Sequence, residues 1–228
     1  MSPFMNLITS ILLVLPLPIT MIGSDDTMMQ HTFMMNLVCP QQKKHLETLL
    51  THSKLCEDGG DYRNVCEWKG VKCTDDNIVN EIRWVHVAGK TIDIRWLPPL
   101  MTYVGFDEIV PLERRLSTRH LPRSLIKCRM VTCSFRGSLD LRCLPERLKE
   151  LHLGSNKFNG VVDLTNLPET LTHIYLDGNR IDAVLVTNTR LPKSLVRARF
   201  FRNPAKMEIL CTDAVTVDPR VTTKLVTY

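Results

Sequence analysis

Two sets of side chains in this chain have types and spacings that could do chemistry. His45, His52 and Cys56 fall on or beside one stretch of helical pattern, with His52 and Cys56 four residues apart. That is the separation at which an imidazole and a thiolate on one helical face can share a zinc ion. Three loose ligands without a partner pair fall short of a closed tetrahedral site, so a solvated helix face is the simpler expectation. The second set is an aspartate held between apolar residues, in Ile92-Asp93-Ile94, Leu139-Asp140-Leu141 and Val162-Asp163-Leu164. A carboxylate can serve acid–base catalysis, yet one at the same place in successive segments is expected to be a scaffold or solvent-facing position. The chain has no glycine-rich phosphate loop, no H-E-x-x-H, no G-x-S-x-G and no C-x-x-C pair. No catalytic residue, cofactor or metal is expected.

The elements that would position any site are set by a repeat. Leu-Pro pairs stand at Leu97-Pro98, Leu121-Pro122, Leu144-Pro145, Leu167-Pro168 and Leu191-Pro192, at steps of 24, 23, 23 and 24 residues. Such a period means that one short unit is stacked on copies of itself, because no unit can bury a core alone. In register, the two clearest units contain L-x-x-L-x-L-x-x-N: Leu148, Leu151, Leu153, Asn156, then Leu171, Ile174, Leu176, Asn179. Alternate apolar residues predict a short strand with one buried face. The Asn amide would satisfy backbone groups where the chain turns away from the strand. Looser units give Leu125, Cys128, Met130 with Cys133 in the Asn position, and Leu195, Ala198, Phe200, Asn203. Another gives Met101, Val104, Phe106 with Ile109 where Asn belongs, predicting an irregular turn, and Val79, Ile82, Trp84 and Val87 make a first strand. Six strands are expected.

This pattern resembles the leucine-rich repeat family, in whose consensus Cys replaces Asn. The resemblance implies an α/β-type repeat solenoid, mostly strand and loop, with a parallel β-sheet on the concave face and a helical N-terminal cap. Phe135-Arg-Gly137 and Phe158-Asn-Gly160, each ahead of an aspartate triplet, are similar to the extracellular subtype of plants and protozoan surface proteins. There the far side holds a second short strand. Cys66-Glu-Trp68-Lys-Gly70-Val71-Lys-Cys73 resembles the C-x-W-x-G-V-x-C cap of plant-type members, which implies a Cys66–Cys73 disulfide with Trp68 covering the first turn. A helix over Gln41 to Leu55 is predicted from Leu46, Leu49, Leu50 and Leu55 on one face. Cys39 and Cys56 flank it and would form a second bridge. Cys128, Cys133 and Cys143 are expected to be reduced core residues, and Cys211 is unassigned.

Eight cysteines fit an oxidising compartment. Leu7 to Ile22 is an apolar run of 16 residues broken by Pro16 and Pro18. It suits a secretory leader followed by Gly23 and Ser24, although the preceding residues lack Lys or Arg. A leader or signal anchor is thus expected over 1–24, a cap over 25–78, a solenoid over 79–204 and a covering segment over 205–228. The location expected is secreted or cell surface, with membrane contact only through an uncleaved N-terminus. The net charge of +5 is weak evidence for any anionic partner, and nucleic acid is not expected.

Outward strand residues would form the binding surface. Its central column is Arg83, Gly105, Arg129, His152, Tyr175 and Arg199, flanked by Tyr103, Asp107, Lys127, Glu150, His173, Asp177, Arg197 and Phe201. Arg, Tyr and His make rigid or bidentate contacts, so a protein or an acidic glycan is the expected ligand. Six strands offer roughly 400–500 Å², below the roughly 800 Å² per partner of a standard interface. Loops or a flank must contribute, the binding is weak, or the chain pairs with itself. Between Pro111 and Lys149, ten cations (Arg114, Arg115, Arg119, Arg123, Lys127, Arg129, Arg136, Arg142, Arg147, Lys149) face three acids (Glu113, Asp140, Glu146). That suggests either a basic patch for anionic glycan or lipid headgroups, or a diffuse solvated surface. The leading expectation is a non-catalytic recognition module. The alternative is a membrane-anchored structural or assembly subunit using the same scaffold. Leu-Pro repeats also resemble those of bacterial effector ubiquitin ligases, whose catalytic domain uses a C-x-D nucleophile like Cys211-Thr-Asp213. Only 15 residues follow Asp213, too few for such a domain.

Overall fold

The computed structural model describes residues 24–38, 55, 63–87, 91–111 and 114–224. In chain order these form α1 (Ser24–Val38), β1 (Val71–Cys73), β2 (Val79–Val85), β3 (Thr91–Ile92), β4 (Tyr103–Asp107), β5 (Val110–Pro111), β6 (Lys127–Val131) and β7 (Arg136–Gly137). They continue with β8 (Glu150–His152), β9 (Lys157–Asp163), β10 (His173–Tyr175), β11 (Arg180–Val186), β12 (Arg197–Arg199), β13 (Glu208–Cys211) and β14 (Val221–Thr222). One sheet runs β1-β2-β4-β6-β8-β10-β12-β14, with only β1 antiparallel to its neighbour. A second runs β13-β11-β9-β7, and β3 pairs with β5. The chain is a parallel-strand β-solenoid of about six turns. The six expected strands are present, and β1 and β14 extend their sheet at either end.

Alternation decides which side each strand buries. Ile82, Val104, Cys128, Leu151, Ile174 and Ala198 are cross-strand partners down the stack, and all have zero exposure. Larger groups fill the next layer. The Trp84 and Phe106 rings stack at 5.7 Å, and on the far side of the turns Phe135 stacks on Phe158 at 6.1 Å. All five Leu-Pro pairs make the same tight turn, seen in Met101 N–H donating to Pro98 O, Leu125 to Pro122, Leu148 to Pro145, Leu171 to Pro168 and Leu195 to Pro192. The leucines are buried. Since the strands that follow are in register, these corners line one edge. A hydroxyl three residues past each of three Leu residues ties that edge together: Ser124, Thr170 and Ser194 donate to carbonyls of the preceding turn.

Buried asparagines hold the opposite corner. Asn156 Oδ1 accepts from the backbone of Cys133 and Phe135, while its amide donates to Met130, Leu153 and Gly154 carbonyls. Asn179 and Asn203 repeat the arrangement. Cys133, in the Asn position one turn earlier, directs its Sγ at the Phe106 and Val131 carbonyls. Ile109 has only an apolar side chain there, and is buried.

Both ends are covered. The Cys66–Cys73 disulfide is formed, and Trp68 is buried in the core. The chain between them folds back on β2, with Arg83 N–H donating to Gly70 O. The predicted helix over Gln41 to Leu55, apart from Leu55 itself, lies outside the described residues. So do Cys39, Cys56, His45, His52 and residues 1–23. Leu55 is buried and its carbonyl accepts from Lys69 N–H. The helix that is described, α1, was not anticipated. It buries Met34 and Leu37, and Gln30 bridges to Val79 N and Asn77 O. At the other end, β14 pairs with β12 and β13 with β11, so the C-terminal segment covers the last turn. Arg220 donates to the Pro192 and Leu195 carbonyls while locked to Asp218. It thereby does for the last Leu-Pro corner what a hydroxyl of a further turn would do.

The cysteines divide by environment. Burial pushes the Cys128 thiol up to about 12 and the Cys133 thiol to about 11. Both are reduced and in the core, as expected. Cys143 corrects the expectation: it is reduced but only half-buried, because it precedes the corner Leu instead of filling an inward position. Native-state iodoacetamide labelling read by mass spectrometry is expected to modify Cys143 and Cys211 at neutral pH. Cys128 and Cys133 should react only on unfolding, since the thiolate is the nucleophile.

Candidate functional site

The outward face of the eight-stranded sheet is built by register. Cross-strand pairing places Arg83, Gly105, Arg129, His152, Tyr175 and Arg199 in one continuous column. Beside it runs Glu81, Tyr103, Lys127, Glu150, His173 and Arg197. Asp107 ends β4 between Val85 and Val131, and Asp177 and Phe201 stand two residues past Tyr175 and Arg199. The strand residues expected at the site lie on this face, while Asp177 and Phe201 sit in the turns just beyond it, joined by the Phe201 N–H bond to Asp177. Arg83 is exposed and the others are half-buried, apart from the buried Gly105.

Spacing alone did not reveal that these groups hold one another. Lys127 Nζ lies 2.5 Å from Glu150, Arg129 Nε 3.1 Å from Asp107 and Arg199 Nη2 2.6 Å from Asp177. Arg83 pairs at 3.1 Å with Glu81, a residue the sequence reading passed over. Half-exposed pairs like these add about 0–1 kcal/mol each to stability. Their larger effect is to fix rotamers and cancel the charge of the face. Asp177 also accepts Phe201 N–H, whereas Asp107 Oδ1 is buried without a hydrogen-bond partner.

Aromatic groups sit at both ends of the column. At one end the Arg83 guanidinium lies 4.3 Å over the Tyr103 ring. Gly105 makes room for that ring: a Cβ there would stand 2.7 Å from Tyr103 Cε1. At the other end Tyr175 packs against His152 at 4.5 Å and His173 at 5.8 Å, with Arg199 at 4.7 Å from its ring centre. Burial lowers the His152 pKa, outweighing the opposing pull of Glu150, so its imidazole is neutral at neutral pH. Burial raises Glu150, but hydrogen bonds from Lys127 and His152 win and keep it below the usual carboxylate value.

The recurring aspartates are structural clips. Asp140 accepts Arg142 N–H and a two-pronged guanidinium contact, which holds its pKa down at about 2. Asp93 and Asp218 clip Arg95 and Arg220 in the same way, and Asp163 accepts Thr165 N–H. Asp213 is engaged too. It accepts from Asn188 N–H and from the N–H and hydroxyl of Thr189. The thiol of Cys211 donates at 3.3 Å to Oδ1, the oxygen that also accepts Asn188 N–H. These bonds, led by Thr189, hold its pKa well below the carboxylate range.

No protein-family model and no curated protein matches the chain. Among solved structures, the crystal structure of a pollen receptor kinase 3 is similar, with a TM-score of 0.50 and 18% identity, over 75% of this chain and 88% of that chain. The likeness is one of fold.

Proposed function

We propose that the chain is an extracellular leucine-rich-repeat recognition module, without catalytic activity of its own, that binds a protein through the concave face of its eight-stranded sheet. In this reading residues 1–24 are a leader, 25–78 the cap, 79–204 the solenoid and 205–228 its closing segment. The single observation that carries it is the outward column with a cation-backed tyrosine at each end, Arg83 on Tyr103 and Arg199 on Tyr175. Large, rigid aromatic groups already immobilised lose little entropy on contact and are typical anchors. An acidic glycan suits this face less well, since Arg83, Lys127, Arg129 and Arg199 are each satisfied by a carboxylate of their own. The disulfide supports an oxidising compartment. With β1 and β14 included the sheet is roughly 34 Å long, enough for a standard interface once flanking loops contribute.

The test is quantitative capture by the immobilised full chain from extracellular fluid of the source, comparing wild type with Tyr175→Ala and Arg199→Ala. Each substitution is expected to weaken retention of the specific partner at least tenfold, about 1.4 kcal/mol or more, while leaving the melting temperature within a few degrees. Retention unchanged in both variants would overturn the assignment of the face.

A further inference from the structure

The second sheet carries a cationic groove that the first does not explain. We propose that this groove, formed by Arg114, Arg115, Arg136, Lys157 and Arg180, is a binding site for a sulfated polysaccharide chain. The groove has a volume of about 810 Å³, and its remaining lining is Gly137 and Asn159. Its construction follows from the repeat. Arg136 and Lys157 are cross-strand partners on β7 and β9, and Arg180 on β11 pairs with Asn159. Arg136 N–H donates to Arg114 O, which carries the ladder into the preceding turn. Gly137, at φ +90°, has no side chain to compete with Arg115, whose Cγ passes 3.7 Å from where a Cβ would stand. Four successive turns thus each present a cation to one trough, over roughly 15 Å at the spacing of adjacent strands.

On the long sheet Arg83, Lys127, Arg129 and Arg199 each have an acidic partner. None of the five groove cations forms an ion pair among the described residues. The nearest carboxylate along the same strand is Asp182, and it accepts Gly160 N–H. Five uncompensated charges within about two Debye lengths repel one another and raise the local potential. Among the described residues no carboxylate pairs with them to offset that cost, as expected of a site that an outside anion completes.

The trough also limits which anion. Its length and the even placement of cations suit a chain carrying sulfates at intervals, in preference to a single small anion. No aromatic side chain lines it, so it lacks the stacking platform that single-stranded nucleic acid needs. It is recessed and polar, whereas a membrane surface would meet a flat face with apolar groups to insert. The extracellular setting rests on the function proposed above, but the geometry of the groove does not.

A heparin-derived octasaccharide, titrated calorimetrically into the full chain at 150 mM NaCl, tests this. Binding is expected, and the triple variant Arg115→Gln, Arg136→Gln, Arg180→Gln should weaken it at least tenfold. An equal charge change at exposed Arg190, Lys193 and Lys206, all to Gln, should cost less than twofold. Relief of repulsion should leave the groove variant melting no lower than wild type. Should it fail to fold, Lys157→Gln with Arg180→Gln serves in its place. Tyr175→Ala should bind the octasaccharide normally, which separates this site from the protein-binding face. No binding, equal losses in the groove and control variants, or tighter binding of a size-matched DNA duplex or of phosphatidylserine vesicles would each overturn the proposal.

Discussion

Replacing Asn156 by alanine is expected to lower the unfolding free energy by roughly 3–5 kcal/mol, measured by urea denaturation. The side chain is 5% exposed and closes five hydrogen bonds, two from backbone N–H groups and three to carbonyls. Alanine removes all five at once and leaves those backbone groups in a core that water cannot enter. Each abandoned group costs about 1–3 kcal/mol, part of which local relaxation recovers. Because each turn rests on its neighbours, the loss should propagate. Hydrogen exchange in β6 and β10 should accelerate together with that in β8. Asn156→Cys is expected to recover part of the loss, since Cys133 occupies the same corner one turn earlier and aims its thiol at two carbonyls. A loss below 1 kcal/mol for Asn156→Ala would show that the corner is wet or that the asparagine ladder is dispensable.

Gly70→Ala is expected to be comparably severe, at roughly 3–4 kcal/mol. Gly70 has φ +77°, and a Cβ there would fall 2.1 Å from the Arg83 carbonyl oxygen. The obstacle is backbone inside a sheet, so no side chain can rotate aside. Relief requires breaking the Arg83 N–H bond to Gly70 O and prying the disulfide-closed loop off β2. Arg83 heads the outward column and its guanidinium lies on Tyr103, so partner binding should fall along with stability. Thermal unfolding of Gly70→Ala beside Lys69→Ala measures this. A melting temperature equal to that of wild type would contradict the packing of the cap against the first turn.

Much of this was legible because a solenoid repeats its physics. The interval between Leu-Pro pairs, the alternation around Leu151 and Ile174, and the asparagines at 156 and 179 each imply a position that the coordinates reproduce. The Cys66–Cys73 bridge was implied by the resemblance of C-x-W-x-G-V-x-C to a plant-type cap and is formed, whereas the close approach of Gly70 to the Arg83 carbonyl is visible only in three dimensions. Side-chain partnerships were not readable. Nothing in the spacing says that Arg129 turns to Asp107 on the neighbouring strand, because that choice depends on rotamers across a ladder. The helix α1 was missed because its methionines, Met28, Met29, Met34 and Met35, follow the apolar run without a clear polar face. The cationic groove was anticipated only in part: Arg114, Arg115 and Arg136 fell within the basic window, whereas Lys157 and Arg180 lie outside it. Its residues Arg115, Arg136, Lys157 and Arg180 recur at 21, 21 and 23 residues, a period hidden when the basic residues are counted as one contiguous window. Sorting charges by repeat position would have found it.

The two sheets therefore divide the chemistry. One face is near neutrality, aromatic and internally braced, and the other is cationic and unbraced. The claim on which the account turns is that the braced face makes the protein contact. Photo-crosslinking tests it most directly, with p-benzoylphenylalanine placed singly at Tyr103, at Tyr175 and, on the far side, at Asn159 of the full chain. Crosslinks to the same partner from positions 103 and 175 and none from 159 are the predicted result. A partner captured from 159 while 103 and 175 stay silent would contradict it.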